Sequence, residues 1–241
     1  MDLNKIADRT LVISLKRSER RDTLLANFAE RGITNFELVD AVDGSELDLE
    51  DMRAHDEIAT KRGDPFRVFA PGQVGCMLSH IKVMEYALAA DWQTVCICED
   101  DAHWLPEAGD VMGRAFEHLP NDWEAVYLHS YKGSWPKPRF RAELLERVGP
   151  GLYIERTSGG TMCILYRRRA VRALLEIVKV APLTRHIDGF TNQLRKKYGF
   201  RTYTVFPFPV RYAGGPSEIE LRGGTDRPGM RARRKKRWAE M

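Results

Sequence analysis

No stretch of this chain is apolar for anything near the roughly 20 residues a membrane-crossing helix requires. The opening residues, Met1-Asp2-Leu3-Asn4-Lys5, lack the apolar centre of a secretion signal, so a cytoplasmic location is expected. The four cysteines include no Cys-x-x-Cys pair, which argues against a structural zinc site. Cys96 and Cys98 share one face of a strand pattern, too close along one chain to pair, and all four read as small, buried, reduced side chains. Neither an internal repeat nor a recognition-helix or RNP-like pattern is present, so no nucleic-acid partner is expected. No Asp-His-Ser order in the sequence supports a hydrolase triad.

What the chain does have is an apolar run that ends in acid: Val95-Cys96-Ile97-Cys98-Glu99-Asp100-Asp101. The run reads as a buried strand. Three carboxylates at its tip repel one another unless a cation joins them, and oxygen-only ligands suit Mg²⁺ or Mn²⁺. In open α/β sheets, that end of a strand is also where ligands bind. Acids after a strand also cap helices or face water, so their number and position make the case, not their type.

With 241 residues, 43% hydrophobic and 30% charged, the composition is that of an ordinary globular protein of one large or two small domains. Net charge is +4, but Arg227–Met241 alone carries +6, leaving the remainder at −2. This basic tail, which includes Trp238, suits an anionic membrane surface; nucleic-acid binding and a plain solvated tail are the alternatives.

The pattern predicts strands at Thr10–Leu15, Phe36–Val39, Thr94–Cys98, Ala125–Leu128, Thr161–Tyr166 and Arg201–Phe206. Helices are predicted over Asp22–Arg31, Leu49–His55, Gln73–Ala89 (opened by Pro71-Gly72), Val111–His118, Arg169–Val178 and Ile187–Tyr198. Ser130–Phe140 reads as a loop near a binding surface, and Pro207–Pro228 shows no periodicity. Strands alternating with helices imply an α/β sheet covered on both faces.

Several segments together resemble glycosyltransferase family 25, the lipopolysaccharide-biosynthesis type that includes collagen galactosyltransferases. They are Ile13-Ser14-Leu15-Lys16-Arg17 with Arg21, Asp40-Ala41-Val42-Asp43-Gly44, Gly72-Gln73-Val74-Gly75-Cys76-Met77-Leu78-Ser79-His80, Glu99-Asp100-Asp101, Gly160-Thr161, Ala170-Val171 and Ile187-Asp188. Ser14 stands where the family usually has Asn. The resemblance implies a GT-A-like single domain over 1–218, with a mixed central sheet flanked by helices, and leaves 219–241 as the basic tail. It implies an inverting, metal-dependent transfer of a hexose, commonly galactose, from a UDP-sugar to a glycan or glycolipid such as lipopolysaccharide. Peripheral attachment at the inner membrane leaflet would suit such an acceptor. A catalytically weak nucleotide-sugar binder is a second reading.

By that resemblance Asp101 is the direct Mn²⁺ or Mg²⁺ ligand. Glu99, two residues away on the same strand face, serves the metal or the donor ribose, and Asp100 points the other way towards the scaffold. Arg17 and Arg21 are candidates for the diphosphate, since guanidinium forks suit phosphate oxygens, or else form a solvated basic turn. Asp43 is a candidate for the uridine, although Asp-Gly is also a common turn pair. Ser79 and His80 are expected to position the donor. Asp188 is the candidate base for the acceptor hydroxyl, with helix capping as its alternative role. His129, Tyr131 and Trp135 are weaker acceptor-side candidates.

Overall fold

The computed structural model describes residues 1–54, 69–130, 146–155, 160–179 and 186–214. Tyr131, Trp135 and the basic tail lie outside the described residues. Strand β1 (Arg9–Ser14) leads into helix α1 (Arg20–Glu30), then β2 (Phe36–Asp40) and the short α2 (Leu49–Ala54). Helix α3 (Pro71–Ala89) precedes β3 (Thr94–Glu99), β4 (Ala102–Trp104), α4 (Ala108–Phe116) and β5 (Trp123–Tyr127). Then come β6 (Glu146–Gly149), β7 (Leu152–Ile154), β8 (Cys163–Arg167), α5 (Arg168–Val178), α6 (Ile187–Tyr198), β9 (Arg201–Val205) and β10 (Val210–Tyr212).

Among the described residues, eight strands form one mixed sheet in the order β2-β1-β3-β8-β5-β9-β7-β6. β2, β1 and β3 run parallel, and β8 enters antiparallel between β3 and β5. β4 and β10 make a separate two-stranded ribbon. Alternation along β1 and β3 sorts the two faces. Leu11, Ile13, Val95 and Ile97 pack with Val74, Met77 and Met84 of α3, Leu174 of α5 and Leu194 of α6. Val12, Cys96 and Cys98 turn to the opposite layer of Phe28, Trp104 and Met112. Both faces are covered, which is why β3 reads as a continuous apolar run. The mixed central sheet flanked by helices matches the expected architecture.

Four strands escaped the sequence pattern: β4, β6, β7 and β10, each of three or four residues. Alternation over so few positions gives no usable signal, and β6 is largely exposed. Two starts also differ. α1 opens at Arg20 inside what reads as a basic turn, and β8 begins at Cys163, leaving Thr161 before the strand.

Helix α3 shows how its glycines set its seat. Pro71 occupies its first turn, and the Gln73 side chain accepts from the Ala70 N–H at 3.1 Å, tying down the helix start. A Cβ on Gly75 would lie 2.7 Å from both Gly44 N and Val42 O, and one on Gly44 would fall 1.9 Å from Pro71 O. Only hydrogen fits on either side, so the helix and the loop after β2 meet backbone against backbone.

Candidate functional site

The carboxyl ends of β1, β2 and β3, the start of α1 and one face of α3 line an open cleft. Among its lining residues are Arg17, Arg20, Asp43, Ser79, His80 and the three acids Glu99, Asp100 and Asp101. It lies where the parallel part of the sheet points its strand ends, the usual ligand position of such sheets.

The three acids are held differently. Asp100 is buried and turned to the scaffold: Ser14 Oγ donates to its Oδ2 at 2.7 Å, and Arg20 Nε reaches its Oδ1 at 3.1 Å. Glu99 keeps 21% of its side chain open. Thr161 Oγ1 donates to its Oε1 at 2.8 Å, and His80 Nε2 lies 3.2 Å from the same oxygen. Burial works against the charge on Glu99, but the hydrogen bond and charge of His80, then Thr161 and Arg20, outweigh it and hold its carboxyl below the usual range. Asp101 stands the opposite way. Burial and then the neighbouring charge of Glu99 push it up to about 8, against the pull of Arg20, whose Nη1 is 3.8 Å away. Its Oδ1 is buried with no hydrogen-bond partner among the described residues. A buried acceptor without a partner costs stability, and two acids this close resist sharing full charge. A hard cation relieves both, so the donor set fits a divalent ion of the Mn²⁺ or Mg²⁺ kind.

The basic residues are divided otherwise than the sequence suggests. Arg21 faces the scaffold: its Nη2 donates to Ser14 O at 2.8 Å and to Asp40 Oδ1 at 2.7 Å, joining the ends of β1 and β2, and it does not line the cleft. Arg17 lines the cleft, paired with Asp43. That guanidinium holds the Asp43 carboxyl far below its ordinary value, with Ser45 also donating to Oδ1 from N–H and Oγ. Arg20, which sequence reasoning passed over, is the cation on Asp100 and Asp101. Nothing in a run of three nearby arginines singles it out; the starting point of α1 decides.

Ser79 is a clamp. Its Oγ donates to Gly75 O at 2.6 Å and accepts from Val42 N–H at 2.8 Å, fixing α3 to the loop that carries Asp43. His80 is 1% exposed, and its Nδ1 has no partner among the described residues. Asp188 lies in the first turn of α6, not at its cap, which is His186; the capping alternative therefore falls away. The Cys76 thiol, raised first by its burial, also feels the charges of Glu99, Asp101 and Asp188; Cys76, Glu99 and Asp101 line the cleft, whereas Asp188 does not. His129 is buried beside Phe208, with Nδ1 3.0 Å from Val210 O, and burial lowers its pKa. Thr161 was visible only as part of a motif; its bond to Glu99 depends on the β3–β8 register, which composition cannot reveal.

Comparison with known proteins supplies the relatives. The sequence profile of glycosyltransferase family 25 (LPS biosynthesis protein) matches residues 7–158. A human protein named inactive glycosyltransferase 25 family member 3 is 31% identical over 228 residues, covering 86% of this chain and 37% of its own length. Mouse procollagen galactosyltransferase 2 is 29% identical over 128 residues, covering 50% of this chain and 20% of its own. This chain thus spans well under half of either relative. Among solved structures, mannose-1-phosphate geranyltransferase from Thermus thermophilus aligns with a TM-score of 0.39 at 10% identity, covering 82% of this chain and 73% of its own. No described helix is long and apolar enough to cross a membrane. The profile match covers more than half of the sequence and includes the acidic strand tip: the chain belongs to glycosyltransferase family 25.

Proposed function

We propose that this chain is a metal-dependent, inverting glycosyltransferase of GT-A type that moves a hexose, galactose foremost, from a UDP-sugar to a glycan or glycolipid acceptor. The observation that supports it best is Asp101: a buried, partnerless carboxylate oxygen beside Glu99, at the mouth of a cleft that also presents two arginines. Mn²⁺ or Mg²⁺ held by Asp101 and Glu99 would supply a Lewis acid that stabilises the charge growing on a departing diphosphate. Arg20 and Arg17 share the cleft with those acids and offer planar donors to phosphate oxygens. Thr161 and His80 fix the orientation of Glu99. Asp188 is the acid available to take the acceptor hydroxyl proton while that oxygen bonds to the anomeric carbon and the bond to the β-phosphate oxygen breaks. The basic tail would hold the protein, from the cytoplasmic side, to the anionic leaflet where a glycolipid such as lipopolysaccharide is built.

The test is UDP release from a panel of UDP-sugars with Mn²⁺, in wild type and Asp101→Asn. Turnover that collapses in the variant, or in excess chelator, supports the reading; wild-type turnover in either condition ends it. A second reading rests on the inactive human relative, which covers most of this chain: a nucleotide-sugar binder without turnover. Calorimetric binding of UDP with Mn²⁺, but no UDP release from any donor, would select it.

A further inference from the structure

On the face of β3 that looks away from the cleft, three thiols meet. Cys98 Sγ and Cys163 Sγ are 3.0 Å apart, with Cys96 Sγ at 3.7 and 3.8 Å from them. All three are fully buried, among Val12, Val126, Leu128 and Leu165. None lines the cleft, and the proposed transfer uses none of them.

The strand ladder singles out one pair. Cys98 and Cys163 are directly opposite in the antiparallel β3–β8 pairing, whereas Cys96 is opposite Leu165. Cys163 O accepts from Leu128 N–H, so the backbone of Cys163 faces β5, and the nearest rung to β3 is Glu99 N–H to Met162 O. Cys98 and Cys163 therefore occupy a non-hydrogen-bonded rung, where opposed Cα atoms approach to about 4.5 Å, within disulfide reach. Cys96 and Cys98, two apart on one strand, have no comparable geometry.

We propose that Cys98 and Cys163 form a modification site: a dithiol pair that a low-molecular-weight disulfide oxidises to a cross-strand disulfide. In the net reaction both S–H bonds break and one S–S bond forms. The oxidant's S–S bond takes up the two electrons and two protons and leaves as two thiols. Thiols and disulfide are both neutral, which suits the apolar box. Three thiolates around a metal ion would bury net negative charge there without a counter-charge, so a metal is the weaker occupant. Burial keeps both thiols protonated, so reaction waits on opening of the ladder and is slow.

The test needs no sugar nucleotide, so its result is separate from the proposed activity. Full-length Cys76→Ser protein, which retains the trio, is incubated folded with dithiodipyridine, quenched in acid, alkylated, and mapped by mass spectrometry with and without prior dithiothreitol. The expected product lacks the mass of two hydrogens, carries no pyridyl adduct, links the Cys98 and Cys163 peptides and leaves Cys96 alkylated. Dithiothreitol reverses the link, and both Cys163→Ala and Cys98→Ala, each in the Cys76→Ser background, abolish it; two variants guard against one failing to fold. Three alkylated thiols after prolonged exposure, a link to Cys96, a lasting pyridyl adduct, or stoichiometric zinc that elemental analysis finds in the Cys76→Ser protein and not in its Cys98→Ala and Cys163→Ala variants would each overturn the proposal.

Discussion

Two parallel strands on either side of β1 end in acid, and the chain treats the two ends differently. β2 ends at Asp40, whose carboxylate is paired with Arg21 at 2.7 Å and Lys16 at 3.5 Å and stays open to solvent. These partners, Arg21 foremost, hold its pKa below the usual value. β3 ends at Glu99, Asp100 and Asp101, where Asp101 is buried, raised to about 8 and short of a partner. The first acid is satisfied by its surroundings and serves as a strut. The second is left wanting positive charge, which is the mark of a site prepared for a ligand.

The sharpest way to break this contrast is to neutralise each acid in turn. Asp101→Asn and Glu99→Gln should cut Mn²⁺-dependent UDP release by roughly 100- to 1,000-fold, the scale of losing a key transition-state electrostatic contact. Asp40→Asn should leave turnover within about 3-fold, as surface ion pairs contribute little. Equal losses at both ends would erase the distinction. Next comes the arginine assignment. Arg20→Ala should lower kcat/KM by about 10- to 100-fold, given the usual value of charge-assisted hydrogen bonds, with Arg20→Lys recovering only part. Arg21→Ala should act chiefly on thermal stability. The reverse ranking would return the diphosphate role to Arg21. Thr161→Val, which removes one neutral hydrogen bond to Glu99, should cost about 3- to 10-fold in kcat/KM.

Asp101 also predicts the smallest and most diagnostic change. Its folded value near 8 lies above the ordinary value of about 3.9 for the unfolded chain. Between those pH values the folded protein holds a proton that the unfolded chain has released. Stability of the metal-free protein therefore falls as pH rises from about 4 to 8. Thermal melts at pH 5 and 8 should show a drop exceeding the roughly 2–4 °C that about 1 kcal/mol produces in a domain of this size. Asp101→Asn should flatten the profile, and Mn²⁺ should restore stability most at the alkaline end. A melt that rises with pH over this range would show that Asp101 is charged in the folded state.

The acidic tip, the long α3 and the sequence order of strands and helices were legible because each is a long local pattern: a buried run, a helical stripe, a proline start. What stayed hidden depends on distant pairing. Arg20 is distinguished from Arg17 and Arg21 only by where α1 begins. Thr161 meets Glu99 only because β8 enters antiparallel beside β3. The ribbon of β4 and β10 joins segments about a hundred residues apart, each too short to declare itself. The helix Ile187–Tyr198 was read with its observed bounds, which puts Asp188 in the first turn and leaves the cap to His186.

The seam between Gly44 and Gly75 carries a consequence for which substitutions this chain tolerates. Its spacing is set by main-chain atoms, which every amino acid shares, so outside the two glycines themselves no exchange of side chains at the seam can widen or narrow it. Under the proposed function, donor preference would then be set elsewhere around the opening, while the helix bearing Ser79 and His80 stays at a fixed height. Enlarging either glycine by a single methyl would shift that whole wall at once.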